Sequence, residues 1–253
     1  MKVGAMNNPH KNLLEEAKML KKYGLEYMEL TIEAPEATPE KVAEKREQLL
    51  DVGLPLTGHM PWFFQITSPY KSIRNAMVCE AVRVIEAAAA LNMPYVTVHP
   101  DFLKLHRKME EIVPITVQSL IEIMDSASEH GIQLCFENFE RKHMPEDELA
   151  KIFDALPKLG FTLDVGHAFM GEAGTDYVAK LITRFSTRLR NVHIHDNFGV
   201  NDDHLPLGAG KLDYKAAVKE LKKAGYDGNL TLEIHSHDRD YIQVSKEKLM
   251  KLI

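Results

Sequence analysis

Cysteine is almost missing from this sequence: only Cys79 and Cys135 occur, with no CxxC pair and no repeated spacing. That excludes a disulfide framework and makes a reduced, cytoplasmic compartment the expectation. Long apolar runs are missing too. The opening Met1-Lys2-Val3-Gly4-Ala5-Met6 is too short for a signal peptide, and the most apolar helix candidate, 81–91, carries Arg83 and Glu86. Neither export nor membrane insertion is therefore expected. An excess of positive charge is also lacking. A net charge of −6 and a pI near 6.1 give no support to nucleic-acid binding, which uses basic surface to neutralise phosphates. Finally, no glycine-rich dinucleotide fingerprint follows the first apolar run, which counts against an open nucleotide-binding sheet.

What is present is periodic. Short apolar, β-rich runs fall at 3–6, 27–32, 54–60, 95–99, 133–137, 161–165, 191–195 and 230–234. Their nearly continuous apolar character is that of parallel strands covered on both faces. Between and after them lie amphipathic stretches at 12–23, 39–52, 72–91, 110–130, 145–156, 177–185, 214–224 and 245–252. Thr38-Pro39 marks a helix start, and Gly24, Gly53, Gly131 and Gly225 stand where C-terminal caps belong. Eight strand-helix units in 253 residues predict one α/β domain spanning 1–253, a closed (β/α)8 TIM barrel.

In such a barrel, functional side chains gather where strands end. His59, His99, Glu137, Asp164 with His167, His193 and Glu233 fall at the ends of the third to eighth runs. Buried carboxylates each cost several kcal/mol unless paired or metal-bound. The strand ends that carry Glu137, Asp164 and Glu233 contain no Lys or Arg. A divalent cation shared by Glu137, Asp164, His193 and Glu233 is the economical answer. Mixed imidazole and carboxylate donors suit zinc or manganese, with iron and cobalt also admissible. His10, His106, His130 and His143 read as solvated; His235 and His237 follow Glu233 and could approach the site, but read first as a surface loop.

The ordered set His-Met-Pro-Trp at 59–62, Val-His-Pro at 98–100, Glu-Asn at 137–138, Asp-Val-Gly-His at 164–167 and His-Ile-His-Asp at 193–196 resembles the xylose-isomerase-like barrel superfamily. Asp202-Asp203-His204-Leu205-Pro206-Leu207-Gly208-Ala209-Gly210 and Gly225-Tyr226-Asp227-Gly228 extend the likeness over essentially the whole chain. The superfamily holds sugar isomerases and epimerases together with endonuclease IV of abasic-site repair. In the sugar branch, residues matching Glu137, Asp164, His193 and Glu233 hold one divalent ion, and the two glutamates serve as acid and base. In endonuclease IV, three zinc ions sit on residues matching His59, His99 and Glu137; then Glu137, Asp164, His193 and Glu233; then His167, Asp202 and His204. All nine positions carry the matching residue type here.

Two departures separate the branches. After the second strand, where endonuclease IV is basic, this chain reads Glu29-Leu30-Thr31-Ile32-Glu33-Ala34-Pro35-Glu36, acids that would repel DNA. Ketose epimerases, in turn, carry an arginine soon after the seventh-strand histidine, whereas His193 is followed by Ile-His-Asp-Asn-Phe-Gly-Val. The resulting expectation is a metal-dependent isomerase or epimerase of a small sugar or sugar phosphate. In it Glu137 and Glu233 move protons, His167 and His195 meet substrate hydroxyls, and Trp62 and Phe63 form an apolar wall. The runners-up are a zinc phosphodiesterase cleaving DNA at abasic sites and a non-catalytic metal- or sugar-binding barrel. Assembly into a homo-oligomer is compatible with each.

Overall fold

A computed structural model describes residues 1–100 and 108–253. Eight parallel strands close on themselves in sequence order, β8 pairing with β1. They are β1 (Lys2–Met6), β2 (Met28–Thr31), β3 (Leu56–His59), β4 (Tyr95–Val98), β5 (Gln133–Glu137), β6 (Gly160–Asp164), β7 (Leu189–Ile194) and β8 (Asn229–Leu232). The (β/α)8 barrel read from the sequence is thus present.

The surrounding helices begin and end where local chemistry directs. In α1 (Leu13–Lys22) the Asn12 side chain accepts from the amides of Leu14 and Glu15, satisfying donors that have no partner within the helix. The stretch expected as one helix over 39–52 is two, α2 (Pro39–Glu44) and α3 (Arg46–Val52), because Lys45 leaves helical geometry at φ −95° and ψ 5°. The ring continues with α4 (Lys71–Ala90), α5 (Met109–Glu129) and α6 (Glu146–Ala155). After β6 comes a short α7 (Val165–Phe169) that the sequence pattern did not reveal, then α8 (Gly174–Phe185), α9 (Tyr214–Lys223) and α10 (Asp240–Met250). The last begins five residues earlier than the expected 245. Among the described residues no helix is long and apolar enough to cross a membrane.

The strands are not apolar on both faces, which corrects the expectation. Thr97 on β4 bonds Thr162 on β6 at 2.8 Å, and Glu29 on β2 accepts from Asn191 on β7 at 2.8 Å. Contacts between non-adjacent strands run through the barrel interior, so the alternating residues Glu29, Thr97, Thr162, Asn191 and Thr231 face inward. Their neighbours Leu30, Val96, Val98, Leu163, Val192 and Leu230, all buried, face the helices, as the two-residue period requires. The interior is therefore a polar column, and at its C-terminal end it continues into the ligand-type residues.

Candidate metal centre

The inward rows of β3 to β8, with α7 and the segment after β7, bring all nine residues named from the sequence to one end of the barrel, in three adjoining groups. His59, His99 and Glu137 form the first: His99 Nε2 lies 3.1 Å from His59 Nε2 and 3.2 Å from Glu137 Oε2. The central group joins Glu137, Asp164, His193 and Glu233, with His193 Nδ1 3.3 Å from Glu137 Oε2 and 3.1 Å from Glu233 Oε2. In the third, Asp202 Oδ2 stands 3.1 Å from His167 Nε2 and 3.0 Å from His204 Nε2. Within each group the donor atoms lie within 4.8 Å of one another, and the third includes His195 as well.

Local structure aims these donors. Asn138 grips β6 by donating to the Asp164 carbonyl and accepting from its amide, both at 2.9 Å. One Asp164 oxygen, Oδ1, then accepts the His167 amide at 2.6 Å and caps α7, leaving Oδ2 turned to the central group without a hydrogen bond. Asp202 and His204 come from a long segment after β7, held down by Asp196. Its carboxylate accepts the amides of Asn197, Gly208 and Leu212, and its backbone pairs with Leu205.

The sequence reading missed Glu29 as a member of the site. Placed among rim acids that would face DNA, it is instead fully buried, because β2 turns it into the barrel. There it lies 2.8 Å from His193 Nε2 and accepts from Thr231 at 2.6 Å. The signal that could have found it is the alternation Glu29-Leu30-Thr31-Ile32, polar and apolar in turn.

Electrostatics shows what the cluster demands. Burial pushes the Glu137 carboxyl up, but His99 and His193 together hold it well below the ordinary carboxylate range. Glu233, likewise buried, is held down by His204 and His193. Burial would lower the imidazoles, yet Glu29, Glu137 and Glu233 carry His193 well above its usual value, and Glu233 with Asp202 carries His204 up to about 9. Carboxylates and imidazoles here each favour the other's charged form. Even so, both Glu137 oxygens, Asp164 Oδ2, His193 Nδ1 and Glu233 Oε2 are buried without a hydrogen bond. Converging orphaned acceptors beside one imidazole fit a divalent cation.

A cavity of about 580 Å³ opens above the groups. His59, His99, His167, Asp202, His204 and Glu233 line it, together with Asn7, His10, Glu33, Trp62, His235 and His237. Four expectations change here. Phe63 is not on the wall; it packs edge-on against Trp62 at 5.8 Å and against Phe64 at 5.9 Å. His195 is fully buried and does not line the cavity directly, and the same holds for Glu137, Asp164 and His193 beneath it. His10, His235 and His237 are not simply solvated, since the loops after β1 and β8 fold over the mouth and place them on the wall. His143 is half-buried with its ring 5.4 Å from Phe139, while His106 lies outside the described residues. Arg239 also borders the cavity, but Glu16 and the carbonyls of Met6 and Ile234 engage both terminal nitrogens.

Comparison with known proteins agrees with this arrangement. A solved D-tagatose 3-epimerase-like protein superposes with a TM-score of 0.87 at 26% identity, covering 100% of this chain and 97% of the other. An uncharacterized protein of Methanocaldococcus jannaschii is 30% identical over 205 residues, 74% of this chain and 69% of its own. An inosose isomerase of Halalkalibacterium halodurans is 22% identical over 95% of this chain and 88% of its own. A probable endonuclease 4 of Natranaerobius thermophilus is 27% identical over 83% and 80%. The family described as xylose isomerase-like TIM barrel matches residues 17–252, and the chain belongs to that family.

Proposed function

We propose that the protein is a metal-dependent isomerase or epimerase of a small sugar or sugar-derived ketone, working at Glu137, Asp164, His193 and Glu233. The observation that carries this reading is the pair of buried glutamates with orphaned oxygens in one donor group. The D-tagatose 3-epimerase-like and inosose isomerase relatives support it.

The four residues would hold one manganese or zinc ion, which supplies Lewis-acid polarisation of a carbonyl and so acidifies the neighbouring C–H. One glutamate removes that proton and the other returns one, on the opposite face for epimerisation or at the adjacent carbon for isomerisation. His193 Nδ1 stands between the two glutamates, 3.3 Å from Glu137 Oε2 and 3.1 Å from Glu233 Oε2. His193 is itself fixed by Glu29, which engages Nε2 and leaves Nδ1 for the central group. Trp62 on the wall offers an apolar face to a sugar ring. A panel of ketohexoses, ketopentoses and inososes in deuterated water, with manganese or zinc added, tests the reading. Deuterium should enter at the carbon beside the carbonyl, and Glu137→Gln or Glu233→Gln should stop it. No exchange into any of these substrates by the unaltered protein would defeat the proposal.

A second reading, phosphodiester hydrolysis at abasic DNA, is favoured by one observation: the nine residues fall into three adjoining groups, two of which share Glu137. Cleavage of an abasic-site duplex by the zinc-loaded protein, with no exchange into sugars, would reverse the order of the two.

A further inference from the structure

The sugar reading leaves one choice open, a free sugar or its phosphate ester, and the cavity wall bears on it. Proteins meet phosphate with Arg or Lys, or with backbone amides left free at a helix start or in a loop. In a (β/α)8 barrel the usual place is formed by the loops after the seventh and eighth strands. Here that place is taken. After β7 the buried Asp196 carboxylate accepts the amides of Asn197 at 2.9 Å, Gly208 at 2.7 Å and Leu212 at 2.9 Å. The fit is tight, since a Cβ on Gly210 would lie 2.5 Å from Asp196 Oδ1. After β8 the first amide of α10, that of Asp240, donates to Asp238 Oδ1 at 3.0 Å. Among the described residues Arg239 is the only Lys or Arg on the cavity wall. Its terminal nitrogens are held by Glu16 and two carbonyls, and its Nε is buried.

The wall offers hydroxyl partners instead, and β2 supplies them. Its alternate residues Glu29, Thr31 and Glu33 follow one another at steps of about 6–7 Å. Glu29 lies beneath the cavity, on His193, while Thr31 and Glu33 line it. Thr31 is 4% exposed and its hydroxyl has no hydrogen bond, a state that calls for a partner from outside the chain. Glu33 is half-buried, and among the described residues its carboxylate makes no hydrogen bond or ion pair. Burial raises its carboxyl above the ordinary range, with His59 and His10 pulling the other way. A carboxylate only accepts. It can take two hydroxyls of a polyol and repels a second anion.

We propose that Glu33 sets the substrate class of the site: with Thr31 it receives the hydroxyls at the end of the sugar remote from the metal, and it turns away a sugar whose remote end bears phosphate or carboxylate. This assignment rests on the sugar reading and narrows it to unphosphorylated polyhydroxy ketones. Discrimination is strongest where one element holds the right substrate and repels the wrong one, and a lone carboxylate does both.

The test uses the full chain with MnCl2 and three substrate pairs: D-fructose, D-tagatose and D-ribulose, each with its terminal phosphate ester. The unaltered protein is compared with Glu33→Gln and Glu33→Lys. Deuterium exchange gives kcat and KM. Quenching of Trp62, the single tryptophan and a wall residue, gives affinity where nothing is turned over. The unaltered protein should favour a free ketose over its ester at least hundredfold. Glu33→Gln should raise KM for that ketose about tenfold with kcat nearly kept, the mark of binding lost away from the reacting carbons. Glu33→Lys should shrink the preference at least tenfold or invert it. An ester bound or turned over as well as its free ketose, a preference unchanged in both variants, or quenching by neither member of any pair overturns the proposal. The two readings fail separately. Exchange into an ester but not its ketose keeps the isomerase and ends the role of Glu33; a free ketose bound through Glu33 but never exchanged ends the isomerase and keeps that role. Should either variant fail to fold, the ratio of ketose to ester in the unaltered protein still decides.

Discussion

The central group and its neighbour are built from the same residue types in opposite proportion. Glu137, Asp164, Glu233 and His193 give three carboxylates to one imidazole; His167, His195, His204 and Asp202 give three imidazoles to one carboxylate. Three carboxylates over-compensate a divalent charge and leave oxygens free to carry protons. One carboxylate among three imidazoles leaves no comparable base. On the proposed reading the carboxylate-rich group is the one that moves protons, though the two lie side by side and Asp164 touches both.

The largest effect that sharpens this contrast is loss of either glutamate. Glu137→Gln and Glu233→Gln should each lower kcat by about 10²–10⁴-fold, the range of a general acid or base, measured as deuterium exchange on whichever sugar proves to be turned over. His195→Asn, assayed in parallel, should lower it far less. Equal losses in all three would dissolve the distinction.

Next in size is Glu29→Gln. Removing the charge behind His193 should weaken metal binding at the central group by about 10–100-fold, read by competition with a chelator; unchanged affinity would contradict the role given to Glu29.

A pH series distinguishes the metal-free from the metal-loaded protein. The raised His204, at about 9 against an ordinary 6.5, contributes stability that is complete below pH 6.5 and lost as pH rises through 9. The lowered Glu137 and Glu233 contribute stability that is present above about 4.5 and lost as pH falls through their depressed values. Metal-free protein should therefore have its highest Tm between about pH 4.5 and 6.5 as far as these groups decide it. Because a cation must displace the imidazole protons, the Tm gain on adding manganese or zinc should be larger at pH 8.5 than at pH 6. Calorimetry at the two values checks it.

The smallest effect is expected at the wall. Trp62, 55% exposed, contributes little to the fold, so Trp62→Ala should raise KM several-fold with kcat nearly kept and change stability by no more than about 0.5 kcal/mol.

Much of this was legible in the sequence, and what was not has a physical reason. The eight strands could be read from their apolar runs, and the ligand-type residues because one stands at or near the end of each of the third to eighth runs, as in Val-Thr-Val-His at 96–99. The polar interior was hidden by the outward-facing half of each strand: Leu30 and Ile32 made β2 look apolar, and Glu29 was assigned to the rim with Glu33 and Glu36. Which way Glu29 points depends on register with β7 across the barrel, a distance of 162 residues along the chain. The position of His195 depends on Gly166 in α7, and that of Phe63 on how the chain turns after β3. Such contacts are properties of closure, absent from any local window.

The most direct test of the account is the position of a bound ion. Crystals grown with manganese and measured at its absorption edge should show an anomalous peak within bonding distance of Glu137, Asp164, His193 and Glu233. A map with no peak there, or with the ion only on other residues, would contradict it.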